Sequence, residues 1–143
     1  MKQYKITENN IIYDIKEYAS GTKVYYLNGK LSRKEGPAIK HADGSEEWYL
    51  NGSYHRDDGP AYEDSEGNKA WYKNGKRHRE DGPAVEYYDG TKFWYKNDKF
   101  HREDGPAVEL ANGYKEYWYN DHQLTNMGSD KEFKRYIKLL SIS

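Results

Sequence analysis

Apolar residues along this chain are sparse and fall in short clusters. An aromatic pair recurs at Tyr25-Tyr26, Trp48-Tyr49, Trp71-Tyr72, Trp94-Tyr95 and Tyr117-Trp118, each 23 residues after the last. Turn-forming residues fill the intervals at the same step. They are Asn28, Asn51, Asn74, Asn97 and Asn120; Gly21, Gly44, Gly67, Gly90 and Gly113; and a Gly-Pro-Ala triplet beginning at Gly36, Gly59, Gly82 and Gly105. Twelve of the 13 glycines and all four prolines lie on repeat positions, so the chain reads as an array of one unit.

The unit is roughly G-x-K-x-W-Y-x-N-G-x-x-H-R-x-D-G-P-A-x-E-x-x-D. Residues 21–120 hold five copies, the last partial. Asn-Gly beside aromatic residues is a strong hairpin signal, because a type I′ turn needs positive φ at both central positions. Asp43-Gly44 and Asp89-Gly90 repeat a turn signal on the other side of the strand. A proline in every complete unit excludes a continuous helix. Each unit is therefore expected to supply two strands, the second bent at Asp-Gly-Pro. Residues 1–20 fall outside the pattern and are expected to cap the array, with Ile11, Ile12 and Ile15 as apolar contacts. Ser129-x-x-Glu132 has the form of a capping box, and Phe133, Tyr136, Ile137 and Leu140 follow at helical spacing. These predict a short C-terminal helix over 128–141 that covers an open sheet edge. The fold class expected is mainly β: one domain over 1–143, an elongated antiparallel sheet of stacked 23-residue hairpins with that helix as a cap.

Composition fits such a sheet. The 143 residues carry 23 Lys+Arg and 24 Asp+Glu, a net charge of −1, and the mean hydropathy is −1.28. Ile, Leu, Val and Phe make only about 14% of the chain, in the range of disordered proteins. Yet 16 Tyr and 4 Trp are present, and disordered chains are poor in aromatics. Low hydropathy therefore signals a repeat sheet with little interior. With no cysteine there is no disulfide framework or thiolate zinc site. No apolar run is long enough to span a membrane and no signal-peptide pattern opens the chain, so a cytoplasmic protein is expected.

The hairpin register places Tyr49 opposite Tyr54, Tyr72 opposite Arg77 and Tyr95 opposite Phe100 on one face, and Trp48/His55, Trp71/His78 and Trp94/His101 on the other. The histidines are expected to stack on the cross-strand indoles. At about 10 Å apart along a sheet they cannot converge on one metal ion. Arg56, Arg79 and Arg102 precede acids that are expected to hold the turn as ion pairs. His55-Arg56-Asp57 spells a kinase catalytic triplet, but no phosphate loop or D-F-G accompanies it. No nucleophile-elbow, zincin or P-loop pattern occurs. The sequence thus argues against an enzyme and offers no catalytic residues, metal site or cofactor.

The repeat resembles the MORN type, and more closely the W-Y-x-N-G-x-x-H-R-x-D-G-P-A variant of bacterial and phage proteins, some of them antitoxin-like. The resemblance spans about residues 21–120. It implies an antiparallel hairpin sheet that works as a binding or assembly module. Asp98 and Asp121 depart from it in place of the turn Gly, as does Ser32 in place of His.

Positions that change between units are free to encode a partner. Those after the Asn turn are Leu31, Tyr54, Arg77, Phe100 and Gln123; those before the Tyr are Val24, Glu47, Ala70, Phe93 and Glu116. A protein-binding surface is expected at Tyr54, Arg77, Phe100, Phe93, Tyr49, Tyr72 and Tyr95, residue types that favour interface hot spots. By resemblance, the partner is a toxin or a host defence enzyme that the chain neutralises. An alternative is a nucleic-acid or nucleotide ligand stacked between rings near Lys73, Lys76, Lys96 and Lys99, which near-zero net charge disfavours. Another is a lipid-associated scaffold, with membrane binding likewise disfavoured. A sheet with two exposed faces is also open to homodimerisation, face to face or through its edges.

Overall fold

The computed structural model describes residues 1–143. The chain is mainly β, with antiparallel hairpins and one helix at its C-terminal end. It forms two compact units, Met1–Lys76 and Arg77–Ser143. No helix is long and apolar enough to cross a membrane.

In the first unit, β1 (Lys2–Glu8), β2 (Ile11–Glu17) and β3 (Lys23–Leu27) form an antiparallel ladder. The N-terminal cap is thus a hairpin of its own, closed by Asn9 and Asn10 at φ 47° and 64°. Tyr13 and Ile15 are its buried side chains. Of the three isoleucines expected there, Ile15 enters the core, Ile11 is half-buried and Ile12 is exposed. Strand alternation sends Ile12 to the face opposite Tyr13 and Ile15. The ladder continues through Val24↔Ile39, Ile39↔Glu47, Glu47↔Tyr62 and Tyr62↔Ala70. The second unit repeats it in Val85↔Phe93, Phe93↔Val108 and Val108↔Glu116.

Both predicted turns are present. Asn51-Gly52 has φ 52° and 84°, the type I′ form. Asn97-Asp98 and Asn120-Asp121 keep positive φ without glycine. The Asp98 carboxylate there accepts the Arg77 N–H at 2.9 Å, and that of Asp121 the Phe100 N–H at 2.7 Å. At the other end, the loop from His41 to Ser45 turns at Gly44 (φ 94°), with Gly44 N–H donating to the His41 carbonyl.

The two expected strands per unit are each interrupted. The second repeat shows four two-residue strands instead: Glu46–Glu47, Tyr49–Leu50, Ser53–Tyr54 and Tyr62–Glu63. Trp48 is the first pivot. Its N–H bonds the Ala61 carbonyl in the main ladder, while its own carbonyl accepts from His55 N–H in the tip hairpin. Trp94 does the same with Ala107 and His101.

The second interruption is the His-Arg-x-Asp-Gly-Pro segment, which leaves the sheet as a loop folded around its own arginine. The Arg56 guanidinium lies 3.8 Å from the Trp48 ring centroid, and that of Arg102 lies 4.0 Å from Trp94. Arg56 Nε donates to Asp58 at 3.0 Å and Nη1 to the Pro60 carbonyl at 3.3 Å. Arg79 bonds Asp81 and Pro83 in this way, and Arg102 bonds Asp104 and Pro106. The expected ion pairs therefore hold these loops. Gly59 is required by space: a Cβ there would stand 2.8 Å from Arg56 Cζ. In the first repeat Tyr25 takes the place of Trp beneath Arg33, at 4.0 Å, and Glu8 supplies the carboxylate.

At Trp48 and Trp94 the ring expected to stack on histidine receives arginine. Histidine instead joins consecutive repeats. Nδ1 of His55, His78 and His101 accepts the backbone N–H of Asn74, Asn97 and Asn120, at 3.1, 3.2 and 3.3 Å. Ser32, which departs from the repeat, does the same work: its Oγ accepts the Asn51 N–H at 3.2 Å. The alanines of the Gly-Pro-Ala triplets, Ala38, Ala61, Ala84 and Ala107, are completely buried.

At the C-terminal end, α1 (Asp130–Leu140) is capped by Ser129, whose side chain accepts the Glu132 N–H. The Glu132 carboxylate accepts the Gly128 N–H at 2.8 Å. Phe133 is fully buried, with its ring 4.9 Å from that of Tyr117 in the final hairpin. Of the apolar face predicted for this helix, Phe133 and Ile137 are buried, whereas Tyr136 and Leu140 are exposed. The contact is one stripe wide.

Because Arg56 and Gly59 form one clamp, their losses should overlap. Arg56→Ala and Gly59→Ala are each expected to destabilise the chain by about 1–3 kcal/mol. The double variant should lose markedly less than the sum, as read from a double-mutant cycle in urea unfolding.

Candidate functional site

The residues singled out from sequence gather into one aromatic stack in each unit. In the first, Tyr54 lies between Tyr49 and Tyr72, with ring centroids 4.2 and 5.0 Å away and planes nearly parallel. All three rings are half-buried. Tyr49 and Tyr54 meet directly across the tip hairpin, as the Asn-Gly register requires. In the second unit the Arg77 guanidinium lies 3.9 Å from the Tyr95 ring. Tyr95 stacks on Phe100 at 4.4 Å, and Phe100 tilts against Trp118 at 5.3 Å. Phe93 meets Tyr95 and Phe100 edge-on, at 6.4 and 6.0 Å. Arg77 is held from its other side by Asp98 at 2.8 Å. Tyr95 is 7% exposed and so supports the surface from within, while Phe93, Phe100 and Arg77 remain half-exposed.

Glu47 and Phe93 occupy the same repeat position with different chemistry. Glu47 is a largely buried carboxylate that collects three donors. Both Tyr49 and Tyr54 donate their hydroxyls to its Oε2, and His41 Nε2 stands 2.8 Å from Oε1. Burial alone would raise the carboxyl pKa, but the bonds from Tyr54, His41 and Tyr49 outweigh it and hold the group below its usual value. Burial, with the bond to Glu47 next, pushes the Tyr54 hydroxyl far upward. The stack is thus fixed at its polar ends as well as through its rings. Phe93 replaces this polar anchor with a ring, and Tyr87 joins it edge-on at 6.0 Å. Tyr87, Trp118 and His41 were missed from sequence. They lie outside the two variable positions, and only cross-strand geometry brings them in.

Each unit also contains a cleft between consecutive arginine loops. One, of about 590 Å³, is lined by Trp48, Leu50, His55 and Asp57 among others. The other, of about 550 Å³, is lined by Trp94, Lys96, His101 and Asp104 among others. Their arginines and histidines are engaged in the clamps and inter-repeat bonds described above. The protruding acids are exposed: Asp57, Asp58, Asp81 and Asp104 each show three-quarters or more of their side chains to solvent.

Compared with protein-family models the chain matches none, and no curated protein matches it significantly. The MORN-type likeness therefore stands on the repeated residues alone.

Two outcomes follow from the polar contacts. A carboxyl lowered in the folded state contributes stability above its unfolded value of 4.5, and that contribution is lost as pH falls through the folded value. Glu47→Gln should therefore lower the urea midpoint at pH 7, and the gap to the wild type should narrow progressively as pH falls below 4.5. Because Nδ1 of His55 accepts a hydrogen bond while Nε2 faces Asp57 at 3.3 Å, its neutral ring should show the Nε2–H tautomer in 15N NMR.

Proposed function

We propose that this chain is a non-enzymatic repeat module that binds a protein partner through its aromatic stacks, with Tyr54 and Phe100 as their centres. The carrying observation is the preorganised stack of half-exposed rings, Tyr49, Tyr54 and Tyr72, fixed at one end by Glu47. Rings already held in one geometry lose little conformational freedom on binding, and Tyr and Arg are residues that dominate interface energy. Phe93, Phe100 and Arg77 present the equivalent surface in the second unit, with Tyr95 beneath them.

A nucleic-acid ligand is a weaker reading on the same geometry. Base stacking needs a ring face left open, yet Tyr54 is covered on both faces, and Phe100 lies between Tyr95 and Trp118. The lipid reading rests only on exposed lysines such as Lys73, Lys76, Lys96 and Lys99 in a chain of net charge −1. The resemblance to antitoxin-like repeats of bacteria and phages supports a partner that is inhibited on binding, a toxin or a host defence enzyme, and a cytoplasmic setting.

The test combines Tyr54→Ala, Arg77→Ala and Phe100→Ala in a chain used as bait in lysate of its host. Wild-type bait should recover a partner identifiable by mass spectrometry. The triple variant, checked for folding by circular dichroism, should bind that purified partner at least about 30-fold more weakly, the effect of one hot spot of about 2 kcal/mol. Unchanged affinity would refute this surface.

A further inference from the structure

The first unit ends in an unpaired strand. β1 pairs with β2 and with nothing else, and five of its seven residues are exposed. The two-residue turn at Asn9-Asn10 makes Glu8 and Ile11 a hydrogen-bonded closing pair, and bonded pairs alternate along an antiparallel ladder. Lys2, Tyr4, Ile6 and Glu8 therefore exchange bonds with β2. The N–H and C=O groups of Gln3, Lys5 and Thr7 point away from the sheet. Such an edge is a template for another strand. The last strand of the second unit, His122–Leu124, is by contrast only three residues long and leads into α1, whose Phe133 packs on Tyr117 of the same hairpin.

We infer that β1 is a self-pairing edge, and that its occupant is β1 of a second copy of this chain, antiparallel about a two-fold axis at Lys5. The side chains of Lys2–Glu8 are self-complementary in that register. Lys2 of each copy faces Glu8 of the other, Gln3 faces Thr7, and Tyr4 faces Ile6. Every outward backbone group finds a partner, because Gln3, Lys5 and Thr7 meet only one another. The central contact sets two lysines side by side, which would oppose pairing if they were bare. Lys5, however, lies 3.3 Å from Asp14 on β2, so the row across the axis reads Asp14, Lys5, Lys5, Asp14 and is neutral. Glu8 already receives Arg33 at 2.7 Å, and Lys2 of the other copy adds a second cation to that carboxylate. Tyr4, 39% exposed, gains cover from Ile6. The two-fold closes the contact on itself, so it stops at a dimer.

Sedimentation equilibrium of the intact chain and two variants tests the inference. The wild type should show a concentration-dependent mass that reaches twice that of the monomer. Lys5→Pro removes an N–H that faces away from β2, so the chain should keep its circular dichroism spectrum. Its dimer should dissociate at least about tenfold more readily. Lys2→Glu, which sets a second carboxylate against Glu8 of the other copy, gives an independent reading should the proline variant fail to fold. It should weaken the dimer, with a reduced effect at high salt. A wild type that stays monomeric into the millimolar range, or folded variants that dimerise as tightly as the wild type, would overturn the inference.

Discussion

One side chain in the first, second and fourth repeats makes the rest possible: an arginine, Arg33, Arg56 or Arg102, laid on an aromatic ring inside its own loop. A guanidinium over an indole is worth roughly 0.5–2 kcal/mol, the more so when water is excluded. In Arg56 the same group donates to the Asp58 carboxylate and the Pro60 carbonyl, so several interactions share one ordered side chain. The clamp explains the invariance of its neighbours. The ring must be flat, the residue at Gly59 must lack a Cβ, and proline must leave its carbonyl turned inward. Completely buried Ala61 follows directly and re-enters the ladder by donating to Ala70.

Because the clamp closes each repeat locally, joining one repeat to the next is left to a second set of groups. A histidine Nδ1, or in one case the Ser32 hydroxyl, accepts the turn N–H of the following repeat. Stability in such arrays is the sum of repeat and neighbour terms, and this bond is a neighbour term that recurs with little change. The aromatic stacks are the other such term, and there the chemistry varies. Glu47 supports tyrosines through hydroxyls, whereas Phe93 supports Tyr95 and Phe100 through ring edges. Uniform bonds keep successive repeats in register while variable stacks give each its own surface.

Much of this was legible in the residues. The 23-residue period, the Asn turns at positive φ, the opposing Gly turns, the Tyr49/Tyr54 and Tyr95/Phe100 pairs and the capped C-terminal helix all follow from local rules of turn chemistry and alternation. Alternation failed at Trp48 and at the arginine loops. A residue whose N–H serves one sheet and whose C=O serves another belongs to neither, and periodicity has no signal for such a pivot. Register therefore points Trp48 and Trp94 at histidine, their cross-strand neighbour, whereas arginine reaches both rings from a loop.

The sequence by itself determined the unit, its turns and which positions vary, since φ preferences and strand alternation act over a few residues. Tertiary structure alone decided which cation each ring receives, that Glu47 would gather two tyrosines and a histidine, and that β1 would end its sheet unpaired. Those outcomes depend on groups brought together across loops and strands, where distance in space, not spacing in the chain, sets the interaction.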